Sequence, residues 1–179
     1  MKNLLFGTSL LLALFSANSM AANDFSGSRL GLGLSKTSVS DGYYEYRSED
    51  YDYGDGFKFE YGYDFNQIVG LGVSYETNND DNFFNGELEG RAIKVGADIG
   101  YAFPIQDVFL KPYGKIGFVS YSEDFSIGSD SSEFDDSSIF AGLGVRFQYS
   151  HFYTDLSMDF YTLENIDFVQ TALTAGYKF

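Results

Sequence analysis

Apolar and polar residues alternate one for one along eight stretches of this chain, and a period of two admits strands while excluding helices. The pattern is plainest over 169–179, where Val169, Thr171, Leu173, Ala175, Tyr177 and Phe179 oppose Gln170, Ala172, Thr174, Gly176 and Lys178. It begins over 29–36, with Leu30, Leu32 and Leu34 against Arg29, Gly31, Gly33 and Ser35. Over 56–65 the apolar face is aromatic: Phe57, Phe59, Tyr61, Tyr63 and Phe65 oppose Lys58, Glu60, Gly62 and Asp64. Val69, Leu71, Val73 and Tyr75 follow against Gly70, Gly72, Ser74 and Glu76, and then Ile93, Val95, Ala97, Ile99, Tyr101 and Phe103 against Lys94, Gly96, Asp98, Gly100 and Ala102. The sixth and seventh set Ala141 to Tyr149 against Gly142, Gly144, Arg146 and Gln148, and Leu156, Met158 and Phe160 against Asp155, Ser157 and Asp159. The fifth, over 110–121, is irregular. Ile116 and Phe118 oppose Lys111, Tyr113, Lys115 and Gly117, yet Val119 and Tyr121 break the parity, which predicts a bulge or a strand running past the bilayer.

Three connections are short (66–67, 104–107 and 150–151), whereas 37–55, 77–90, 123–138 and the smaller 164–167 are polar and acidic. Larger and tighter joints alternate strictly. That layout predicts an all-β fold, an eight-stranded antiparallel up-and-down transmembrane β-barrel with tight turns on the periplasmic side, larger loops outside and both termini periplasmic. The amino terminus supports export: Lys2 is a positive start, 4–15 an apolar stretch, and Ser19-Met20-Ala21 a small-residue cleavage site. The apolar stretch is shorter than the roughly 20 residues a membrane helix needs. We therefore expect a cleaved signal peptide over 1–22 and a barrel domain over 23–179 in the outer membrane of a Gram-negative cell. Cysteine is absent, which excludes disulfides and thiolate chemistry.

Periodicity does not say which face meets lipid, but a magnitude does. The polar face carries Arg29, Lys58, Lys94, Lys111, Lys115, Arg146 and Lys178, with Glu60, Asp64, Glu76, Asp98, Asp155 and Asp159. A lipid-facing Lys or Arg at the midplane costs roughly 2–4 kcal/mol, so turning this face outward would cost on the order of 10 kcal/mol or more. The face must look inward, where charges have to pair because an isolated buried ion is very costly. An eight-strand tube is just wide enough to be filled by side chains. These thirteen residues are therefore expected to form a charge network that plugs the lumen, with glycines making room for it. An open, ion-selecting pore is the functional alternative.

About 18 of the 26 acidic residues fall in the outer loops, among them Glu45, Glu49, Asp50 and Asp52 in the first and Asp80, Asp81, Glu87 and Glu89 in the second. Such a rim, with a formal net charge of −15 for the whole chain, repels nucleic acid and heparin-like polyanions. Carboxylates suit hard cations, and the stretch holding Asp130, Glu133, Asp135 and Asp136 is the densest candidate for loop divalent-cation binding, although it lacks EF-hand spacing. No cofactor and no catalytic residue is predicted. Gly31-Leu32-Gly33, Gly70-Leu71-Gly72 and Gly142-Leu143-Gly144 lie inside period-two runs and open no helix, so they are not nucleotide loops. His151, the single histidine, falls in a short turn without a companion cluster.

With its export signal, eight alternating strands, Lys111-Pro112-Tyr113-Gly114 stretch and Gly176-Tyr177-Lys178-Phe179 ending, the chain resembles the small eight-stranded outer-membrane barrels, the group of the OmpA transmembrane domain and the OmpX/Ail-type proteins. The resemblance implies partners in outer-membrane lipid, lipopolysaccharide and the barrel assembly machinery, and it gives Tyr177 and Phe179 the role of an assembly signal. The function it implies is a non-enzymatic integral barrel serving envelope integrity or surface interaction, with a narrow porin-like channel as the alternative. The surface ligand is not legible.

Overall fold

The computed structural model describes residues 25–41, 51–83, 86–127, 130–164 and 166–179. The expected signal peptide therefore lies outside the described residues, as do Glu45, Glu49 and Asp50. The elements are β1 (Gly27–Asp41), β2 (Tyr51–Asp64), β3 (Val69–Phe83), β4 (Gly86–Gly100), β5 (Phe103–Ile105), β6 (Val108–Ile127), β7 (Asp130–Tyr149), β8 (Phe152–Leu163) and β9 (Ile166–Lys178). Each is hydrogen-bonded antiparallel to its neighbours, β1 pairs with β9, and β4 pairs with β6, so the sheet closes on itself. The eight-stranded up-and-down barrel read from the alternation is the fold observed.

The ninth segment does not add a stave. Phe103 opposite Leu110 continues the register that places Gly100 opposite Tyr113, so β5 prolongs β4 along β6. The same register sets Tyr101 against Pro112, which has no N–H to give to the ladder, and the break falls there.

Side-chain direction follows the parity. Leu32, Phe57, Ile93, Phe118, Leu143 and Leu173 are exposed on the outer wall, whereas Lys58, Lys94, Lys111, Arg146 and Asp155 are buried inside. The apolar wall ends abruptly toward the long hairpins. Leu34, Phe57, Tyr75, Ile93, Phe118, Ile139, Phe160 and Val169 close the unbroken outward-facing apolar run on their strands. Two residues further along, the same face holds Lys36, Asp55, Thr77, Arg91, Ser120, Ser137, Thr162 and Asp167. On β7 the band runs from Ile139 to Tyr149, matching the roughly 9–11 residues a tilted strand needs to cross a bilayer. At the opposite end an aromatic fringe includes Tyr63 against Phe65, Tyr101 against Phe103 and Phe152 against Tyr177, all edge-on.

Two expectations are corrected. Of the two readings of the fifth stretch, the bulge near Val119 and Tyr121 is absent and the strand running past the apolar band is observed: β6 pairs with β7 in one unbroken register from Val108 to Ile127, and both residues point inward, each 1% exposed. They look outward-facing in sequence only because they are apolar. In the structure they join Ala92, Phe140, Tyr161, Leu163 and Phe168 in a buried apolar layer inside the tube. The larger loops, second, are mostly ladder. β6 and β7 carry the third acidic connection as paired strands up to Ile127 and Asp130, and β3 and β4 stay paired up to Phe83 and Gly86.

The turns at the other end are tight. Asn66 Oδ1 accepts from the backbone N–H groups of Ile68 and Val69 at 2.8 and 2.9 Å, which fixes the β2–β3 turn. Gln106 and Ser150 lead two-residue turns with φ of 55° and 53°, while the residue after each keeps negative φ, the pattern of a type II′ hairpin.

Candidate functional site: the charged lumen

Every second residue of each strand enters a tube too narrow for bulk water, so an ionic side chain there must find its partner across the axis. The thirteen charged residues singled out on the inward face each take part in at least one ion pair. They form tiers.

Nearest the short turns, Asp64 lies at the centre. Its carboxylate meets Arg29 at 3.0 Å, Lys178 at 2.8 Å, Arg146 at 3.3 Å and Lys111 at 3.5 Å. Asp98 shares the same cations, with Lys111 at 2.5 Å and Arg29 at 3.1 Å. Phe25 caps this tier. It is 2% exposed, Lys178 Nζ sits 3.6 Å from its ring centroid and donates to its carbonyl, and its ring packs edge-on against Phe109.

A middle tier joins Arg146 Nε to Asp155 at 2.9 Å, and the Tyr113 hydroxyl donates to the same carboxylate at 2.7 Å. Tyr153 donates to Glu60 at 2.9 Å, and Lys58 lies 3.1 Å from that carboxylate. Higher still, Lys94 bridges Glu76 at 2.9 Å, Asp159 at 3.0 Å and the side-chain amide oxygen of Gln170 at 2.5 Å, while Lys115 meets Asp159 at 2.7 Å. The apolar layer of Val119, Tyr121, Phe140, Tyr161 and Phe168 covers this tier, with Tyr161 and Phe168 stacked at 5.3 Å. Lys94 touches both worlds, its ammonium lying 5.0 Å from the Tyr161 ring centroid.

The crowding explains the glycines. A Cβ on Gly62 would overlap the Arg29 guanidinium, and one on Gly144 would overlap the Tyr113 ring. A cavity of about 50 Å³ remains inside, bordered by Gly72, Ser74 and Gly96. That holds a few waters at roughly 10–15 Å³ each and is far below the roughly 300 Å³ of a small-molecule site.

Of the loop-cation candidates, Asp135 and Asp136 stand on β7, whereas the side chains of Asp130 and Glu133 lie outside the described ones. Among the described residues no group of three or more metal-ligating side chains converges. Tyr177 faces outward, stacked on His151 at 5.4 Å and on Phe179 at 6.2 Å. His151 itself is exposed, 3.1 Å from the Ser150 hydroxyl. Sequence reasoning set Gln170 on the inward face without a part in the network, and passed over Phe25 and Tyr153 as lumen residues. Tyr153 shares the parity of Asp155 and was open to that test; Phe25 precedes the alternation and carried no signal.

A family model described as the outer membrane protein β-barrel domain matches residues 7–179. Among solved structures, Ail, the attachment invasion locus protein of Yersinia pestis, is 21% identical with a TM-score of 0.65, over 86% of this chain and 99% of that one. Ail has also been solved in complex with the heparin analogue sucrose octasulfate. Neisserial surface protein A is 17% identical with a TM-score of 0.63, over 86% and 98% of the two chains. The N-terminal β-barrel domain of Pseudomonas aeruginosa OprF is 18% identical with a TM-score of 0.58, over 83% and 97%. By sequence, no curated protein matches the chain. The family match over nearly the whole length agrees with the apolar belt and ionic interior, and the chain belongs to the outer membrane protein β-barrel domain family.

Proposed function

We propose that this protein is a non-enzymatic integral barrel of the outer membrane that conducts no solute and acts through its acidic outer hairpins, in envelope integrity or surface interaction. The observation carrying this reading is the sealed interior, where ion-paired tiers and an apolar layer succeed one another along the axis. A conducting pore would need a continuous hydrated path, and the ion pairs across the axis and the apolar layer above them argue against one. In planar bilayers, pure refolded monomer is expected to give no large stable channels. Steady conductance that scales with inserted protein would replace this reading with the narrow porin.

The remaining roles follow from the same orientation. With the termini periplasmic, the acidic hairpins face the medium and the outer wall meets lipopolysaccharide and phospholipid. Tyr177 and Phe179, on the strand that closes the ring with β1, are the assembly signal offered to the insertion machinery. The heparin-analogue complex of Ail does not transfer readily, because the hairpin ends here carry Glu89, Asp135 and Asp136. A cationic or neutral surface partner suits this rim better.

A further inference from the structure

The cavity inside the lumen is not electrically neutral. Arg29, Lys58, Lys94, Lys115 and Arg146 all border it, against three carboxylates. Among the described residues, the ion-paired lumen network keeps the same sign, with seven cations to six anions. One donor also lacks an acceptor: Arg29 is 5% exposed, its two terminal nitrogens serve Asp64 and Asp98, and its Nε finds no partner among the described residues. An uncompensated buried charge is very costly in a protein surrounded by lipid. The cavity has room for a small ion with part of its hydration shell.

We propose that this cavity is a binding site for a small monovalent inorganic anion of the halide class, which neutralises the surplus cation and completes the lumen network. Bound there, the ion is a structural ligand of the folded barrel. It binds no unfolded chain, so it stabilises the fold by mass action.

The test uses the full-length barrel refolded in detergent, with urea unfolding followed at constant ionic strength while sodium bromide replaces sodium gluconate, whose anion is too large for the cavity. The folded-to-unfolded ratio at fixed urea is expected to rise several-fold with bromide, linearly in its concentration above saturation. Crystals grown in bromide should show its anomalous signal inside the tube. Two variants locate the effect. Lys115→Met removes the surplus charge. Gly72→Ala keeps every ion pair and only narrows the cavity, since its Cβ would stand 3.5 Å from Arg29 Nη2, an ordinary contact. The bromide response should vanish in the first and weaken several-fold in the second, and Gly72→Ala alone decides the matter if Lys115→Met fails to fold. Bromide and gluconate giving the same stability, a cavity without anomalous signal, or an undiminished response in Gly72→Ala would each overturn the proposal.

Discussion

Removing the Asp64 carboxylate leaves four cations short of an acceptor. Asp64 is fully buried, and Arg29, Lys111, Arg146 and Lys178 all converge on it. Asp64→Asn keeps the shape and deletes the charge, so it is expected to destabilise the barrel by about 3–5 kcal/mol, read from urea unfolding in detergent. The pair between Arg91 and Glu89, 3.4 Å apart and about half exposed on both sides, provides the contrast. Glu89→Gln should change stability by less than about 0.5 kcal/mol. Backbone strain is a separate handle: Ser150 holds φ 53° at the turn position where glycine is usual. Ser150→Gly is expected to raise stability by about 0.5–1 kcal/mol, measured the same way. These single residues also mark where sequence reasoning stops. Parity placed Asp64 and Arg29 on the inward face, but their meeting depends on strand register, and that of Arg29 with Asp98 across 69 positions depends on closure of the ring.

At the scale of the strand, alternation was legible wherever one face touches lipid, because only there do apolar and polar positions differ sharply. Beyond Phe118 on β6 and Ile139 on β7, which face each other in the ladder, the outward positions become Ser120, Ser122, Ser137 and Asp135, and the contrast vanishes. These residues therefore read as loop although they are paired strand. Val119 and Tyr121 misled for the converse reason: an apolar tier inside the tube inverts the rule that polar faces inward. The boundary between Phe118 and Ser120 yields a prediction. Leu143 is 64% exposed in the middle of the β7 band, and Leu143→Arg should destabilise by about 2–4 kcal/mol in a bilayer. Ser122→Arg, beyond the band and opposite Asp135, should cost less than about 1 kcal/mol. Equal effects at the two positions, compared by unfolding from phospholipid vesicles, would contradict a lipid belt that ends at Phe118.

For the whole molecule, the seven inward cations are occupied, so the field outside is set by what remains. Of the basic residues in the described chain, the other two are Lys36 and Arg91, both on the outer wall just beyond the apolar band and each beside acids: Lys36 opposite Asp55, Arg91 paired with Glu89. The lumen hides six carboxylates along with the seven cations, so nearly all of the formal net charge of −15 belongs to residues outside it, where few basic residues offset the acids. A heparin column is therefore expected to pass the folded barrel even at about 10 mM salt, where the screening length is roughly 30 Å and weak attraction would show. Retention of the folded barrel would mean that a basic patch is displayed at the hairpin ends and would reopen the comparison with the heparin-analogue complex of Ail.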